Sequence, residues 1–168
     1  MKNAAMTESL IPPETMNLVG QRLAEPVTVR IDAREAQRYA CAVGDLNPVY
    51  FDEEAALSAG YRTLAVPPTF VSHAPVAPRP MEELRPDGLY QGSDRLRLRV
   101  DRIMFGGEEW DFLEPVCVGD DITSEVRLAA LDEKTGSKGP FVRTVRETTY
   151  TNQDDVVVAR SRQIGIAR

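Results

Sequence analysis

Phe141-Val142-Arg143-Thr144-Val145-Arg146-Glu147-Thr148-Thr149-Tyr150-Thr151, a polar break at Asn152-Gln153-Asp154-Asp155, and a second β-rich run from Val156 to Ile166 decide the architecture of this chain. Side chains on a strand alternate between faces, so two such runs joined by a turn predict adjacent antiparallel strands. Upstream, Leu96 to Phe105, Glu108 to Leu113 and Ile122 to Leu131 carry the same character. Turn residues separate them at Gly106-Gly107, Gly119-Asp120 and Thr135-Gly136-Ser137-Lys138-Gly139.

The first half of the chain reads differently. Val27 to Ile31 is β-branched and alternating and suits one short strand. Asp32 then opens a helix with Glu35 three positions on, Ala36, Tyr39, Ala40 and Val43 share one face, and Gly44 ends it. A second short helix is expected over Glu53 to Ser58, capped by Asp52 and closed by Gly60. Pro67-Pro68 suits the first turn of a third helix, which Pro75, Pro78 and Pro80 keep short or kinked. Helices first and long strands after them predict an α+β domain with a mainly antiparallel sheet. Residues 1–17, polar and without periodicity, are expected to form a flexible arm before a single domain over 18–168.

Composition narrows the function classes. The 168 residues carry a net charge of −6, and no basic cluster suits phosphate backbones, so neither nucleic acid nor an anionic membrane is expected as a partner. No apolar run approaches a membrane span or a secretory signal, which makes the cytoplasm the default location. One histidine and two distant cysteines, Cys41 and Cys117, offer no metal-ligand spacing; neither metal nor cofactor is expected.

The remaining signal is Gly44-Asp45-Leu46-Asn47-Pro48-Val49-Tyr50-Phe51-Asp52. It resembles the G-D-x-N-P-[IV]-H-x-D signature of MaoC-like enoyl-thioester hydratases and 3-hydroxyacyl-thioester dehydratases, with Tyr50 at the histidine. Further matches follow at Ala65-Val66-Pro67-Pro68-Thr69-Phe70, at Gly106 to Phe112, at Pro115 and Gly119-Asp120, and at Glu147 to Gln153. They look like the N-terminal half of double hot dog dehydratases. The resemblance implies one hot dog fold, an antiparallel sheet wrapped around a central helix, and an acyl-CoA or acyl-carrier-protein thioester as substrate.

Hydrating a 2-enoyl thioester needs a base for the water, an acid for C2 and a donor for the developing enolate oxygen. In the family, the loop aspartate and histidine share the water, and a backbone N–H at the start of the central helix serves the oxyanion. Carried over, Asp45 stands at the catalytic aspartate and Asn47-Pro48 at the loop brace. Tyr50 replaces the histidine, and Pro67, with Pro68 next, falls where the oxyanion donor belongs, although proline has no N–H. A phenol of pKa near ~10 is almost wholly protonated at neutral pH, a poor general base. The expected role is therefore a non-catalytic, acyl-binding subunit beside a histidine-bearing hot dog partner, with Asn47, Tyr50, Pro67, Thr69, Phe70 and His73 as substrate-contacting candidates. His73 is also a candidate substitute base, against the plainer reading of a structural helix histidine. Glu108, Glu109 and Asp111 around Trp110 read as solvated charges. A hot dog thioesterase using a carboxylate, and a binding module without turnover, are the alternatives.

Overall fold

The computed structural model describes residues 8–84, 86, 96–100 and 102–168. Five strands, β1 (Val27–Arg30), β2 (Ile103–Phe112), β3 (Asp121–Gly136), β4 (Gly139–Thr151) and β5 (Val157–Ala167), form one sheet in the order β1-β3-β4-β5-β2, every pair antiparallel. Among the described residues, four α-helices precede β2: α1 (Pro13–Met16), α2 (Ala33–Val43), α3 (Glu53–Ser58) and α4 (Phe70–His73). The α+β architecture expected from the sequence is the architecture found, and it is the hot dog fold.

Local chemistry sets the helix ends as read. The Asp32 carboxylate accepts from the Glu35 N–H at 3.0 Å, and Gly44 closes α2 in a left-handed conformation with φ 76°. Asp52 caps α3 in the same way through the Ala55 N–H. Pro67 and Pro68 precede the third helix instead of forming its first turn: α4 starts at Phe70 after Thr69 and is a single turn, too short to persist by propensity alone. Burial of Phe70 and Val71, worth about 1.5–3 kcal/mol for each side chain, holds it in place.

The strands differ from expectation in one respect. Gly106-Gly107 is a bulge inside a continuous β2, with the register against β5 shifting between Phe105 and Gly107 and Gly107 at φ 146°. Residues 96–100 are not strand. Leu96 inserts into the core, and the Arg99 N–H donates to the Leu10 carbonyl, so their alternation serves packing against the N-terminal segment. That segment is likewise not a free arm over its described residues 8–17. Ile11 is buried against Leu128 and Leu131, and the buried Thr15 hydroxyl donates to the Arg97 carbonyl at 2.7 Å. Residues 1–7 lie outside the described residues.

Two apolar clusters cover the inner sheet face. Ile31, Phe70, Val71, Ile122 and Tyr150 fill one end, while Ile11, Leu96, Leu128 and Val142 fill the other. Between the sheet and the helical half, Asp120 is almost fully buried. Its carboxylate accepts from the Cys117 N–H at 2.8 Å and from the Gln153 amide, and it pairs with the Arg62 guanidinium, which holds the Arg62 pKa above its ordinary value. Replacing Asp120 by alanine leaves a buried N–H without an acceptor and removes the pair, so the variant should lose about 3 kcal/mol of stability in urea unfolding.

Candidate functional site

The motif loop leaves α2 through Gly44, whose αL cap turns Asp45 back so that its N–H donates to the Ala40 carbonyl at 3.0 Å. The Asn47 side chain accepts from the Val49 N–H and starts a 3-10 turn over Pro48–Tyr50. This is the brace expected of Asn47-Pro48, and it brings residues five apart together. The Tyr50 phenol donates to Asp45 Oδ2 at 3.2 Å.

Tyr50 is buried, while Asp45 is exposed. The Tyr50 ring packs with Ala40 and Ala65, and the Gln37 amide holds its carbonyl at 3.1 Å. Desolvation, with the charge and hydrogen bond of Asp45 adding to it, pushes the Tyr50 pKa up to about 12. The phenol is a hydrogen-bond donor across the ordinary pH range.

Beside Tyr50 opens a pocket of about 300 Å³. Ala65, Val66, Pro68 and Val71 line it from the helical side, and Phe112 to Val116 with Val158 and Ala159 line it from the strand side. The Ala65 to Val66 segment is pinned by hydrogen bonds between Val66 N–H and the Val116 carbonyl at 3.1 Å and between Val118 N–H and the Leu64 carbonyl at 2.8 Å. At the start of α4, Pro67 and Pro68 bring no N–H, and the Phe70 N–H is already given to the Pro67 carbonyl at 2.8 Å.

The candidates from the sequence divide between two places. Tyr50 lines the pocket, Asp45 and Asn47 sit on the loop behind it, and Pro67 is buried next to Pro68. Phe70 belongs to the core, and Phe70 and His73 line a separate hollow of about 630 Å³ with Arg30, Asp32 and Glu35. The Thr69 hydroxyl is bonded to the Tyr39 phenol at 3.0 Å. His73 is exposed, with its ring 5.5 Å from that of Tyr39, and it does not join Asp45 and Tyr50. Sequence reasoning missed Tyr61 and the Phe112-Leu113-Glu114 turn as pocket walls; the signal was present in the two-residue period that puts Phe112 on the inner face.

Sheet, helices and pocket define a hot dog protein, a fold shared by solved MaoC-like dehydratases. Residues 17–161 match the family described as FAS1-like, dehydratase domain region, and the chain belongs to that family. It is 29% identical over 141 residues to a UPF0336 protein of Parafrankia sp., covering 84% of this chain and 87% of the relative. It is 31% identical over 160 residues to a probable enoyl-CoA hydratase alpha subunit of Thermomonospora curvata, covering 86% of this chain but only 47% of that protein. Its fold matches the HadBC (3R-hydroxyacyl-ACP dehydratase) complex of Mycobacterium tuberculosis with a TM-score of 0.61 and 24% identity, over 83% of this chain and 89% of that one.

Because the folded-state pKa of Tyr50 lies above the ordinary phenol value, the folded state favours the protonated form. That contribution is present below pH ~10 and is lost as pH rises toward about 12. Urea unfolding across this range should therefore show stability falling more steeply in the parent chain than in Tyr50→Phe. Equal slopes would remove the assignment.

Proposed function

We propose that this chain is the acyl-binding, non-catalytic subunit of an (R)-specific enoyl-thioester hydratase or 3-hydroxyacyl-thioester dehydratase, working with a histidine-bearing hot dog subunit in an aqueous, cytoplasmic setting. The observation that carries this reading is the state of Tyr50. A phenol held protonated and already bonded to Asp45 cannot take a proton from water near neutral pH, so the loop keeps its shape without a base. The two prolines at the helix start support the same reading, since an enolate oxygen placed there would meet no free donor from them.

A partner is supported by the outer edge of the sheet. Strand β2 pairs only with β5 among the described strands, and it exposes Ile103, Met104, Phe105 and Phe112. An unpaired apolar edge of this length invites another chain. The relatives named as an alpha subunit and as a complex fit such an arrangement. On this reading, the acyl thioester lies in the pocket beside Tyr50, with Ala65, Val66 and Pro68 in its wall and with Asn47 and Pro67 holding the segments that carry it.

Purified alone, the chain should hydrate crotonyl-CoA at no more than about a thousandth of the rate it reaches when co-expressed with a hot dog subunit carrying the intact G-D-x-N-P-x-H motif. Robust turnover by the isolated protein sinks the proposal.

A four-corner comparison tests which part is missing. Tyr50→His returns an imidazole beside Asp45 but leaves the prolines, and an oxyanion donor is typically worth about 100 to 1000-fold. Measurable hydration is therefore expected from Tyr50→His with Pro67→Gly and from neither single variant. Equal initial rates for Tyr50→His and the double variant would show that the prolines cost nothing.

A further inference from the structure

The two apolar clusters on the inner face do not meet. Register places Leu128, Arg146, Gln163 and Glu108 in one row across β3, β4, β5 and β2, with Thr148, Ser161 and Trp110 in the next. Strand alternation puts these side chains on the same face as the core residues Val142 and Tyr150. A belt of polar groups thus crosses the core-facing side of the sheet, buried at Ser161, half-buried at Arg146, Thr148 and Gln163, and exposed at Glu108.

Three features separate this belt from an ordinary solvated face. The Arg146 Nε is buried and has no hydrogen-bond partner among the described residues. Buried polar atoms are nearly always satisfied, so one left open by the described residues is a place that a water or a bound polar group can fill. The Tyr150 phenol is buried, pushed up by that burial, and lies within reach of the Ser161 and Thr148 hydroxyls and the charge of Glu108. Finally, Trp110 stacks between Phe112 and Tyr150, with ring centroids 5.3 and 5.6 Å away and planes within 8° and 19°. Phe112 is also a wall of the pocket beside Tyr50. The stacked rings therefore lead from that pocket toward the belt, which begins about 13 Å away over four strand residues.

We propose that this inner-face belt recognises an uncharged oxygen, a hydroxyl or keto group, carried on the acyl chain at the end remote from the thioester. Donors and acceptors are mixed there: the Arg146 guanidinium, the Gln163 amide, the Thr148 and Ser161 hydroxyls and the Glu108 carboxylate. An anion would face Glu108 and a cation would face Arg146, whereas a hydroxyl satisfies both a donor and an acceptor. A plain methyl terminus would leave Arg146 open, and a site built to bond an oxygen rejects the analogue lacking it. The inference rests on the acyl-binding role proposed above and names the class of acyl group.

Trp110 is the single tryptophan of the chain, so its emission reports directly on the track. The experiment titrates the chain with two series of acyl-CoAs, plain and ω-hydroxylated, from hexanoyl to hexadecanoyl length, following Trp110 fluorescence. At one chain length the hydroxylated ligand should bind about tenfold more tightly than the plain one, the size of one well-made buried hydrogen bond. Arg146→Met and Gln163→Leu should bring the two ligands to equal affinity; should one variant fail to fold by circular dichroism, the other carries the test. Equal affinities at every length in the parent chain would overturn the inference while leaving acyl binding standing. So would a preference that survives both variants. No fluorescence response to either series would overturn the acyl-binding role and this inference together.

Discussion

A buried carboxylate fixes the geometry on which the rest of this molecule depends. Asp120 is withdrawn from water at the entrance to β3, and a charge in that position is tolerated only when paired and hydrogen-bonded. Its partners come from three directions: Arg62 from the loop after α3, the Cys117 backbone from the turn before β3, and Gln153 from the turn after β4. Satisfying Asp120 therefore draws the helical half of the chain onto the sheet. Ala65 and Val66 then run beside Val116 and Cys117, which sets where α4 starts and where the pocket opens.

The motif loop separates shape from chemistry. Its shape comes from Gly44, from the Asn47 brace and from the packing of the Tyr50 ring with Ala40 and Ala65. None of these needs a group that titrates near neutral pH. A phenol fills the same space as a ring base would, keeps a hydrogen bond to Asp45, and stays protonated because burial disfavours its anion. Under the proposed function the loop is a wall that inherited its fold from a reactive site.

How far the sequence disclosed this depends on the range of the interaction involved. The caps at Asp32, Gly44 and Asp52 and the short helix after Pro67-Pro68 were legible, because each is decided within a few residues. The bulge at Gly106-Gly107 was not separable from a turn, since glycine permits both and only the pairing with β5 decides. Ile11 and Thr15 looked like part of a polar arm, and their burial arises from contacts with Leu128 and Arg97 far along the chain. At the site, Asp45, Asn47 and Tyr50 were found from their motif. His73 lies apart from them beside Tyr39, and a single helical turn gives no periodicity to tell which side it faces.

Sidedness carries the same lesson into the sheet. Glu108, Glu109 and Asp111 read alike in sequence as charges beside a tryptophan, yet the period of two gives them different surroundings. Glu109 points to the outer face with Arg162, whereas Glu108 shares the inner face with Trp110 and the row of Gln163 and Arg146. Four aligned strands are needed to see that row, and no single strand contains more than one of its members. Polar groups so placed weaken the apolar core they interrupt, as the division of the inner face into two clusters shows. Under the inference drawn above, a bound oxygen would offset that cost, and the open Nε of Arg146 is the group it would complete.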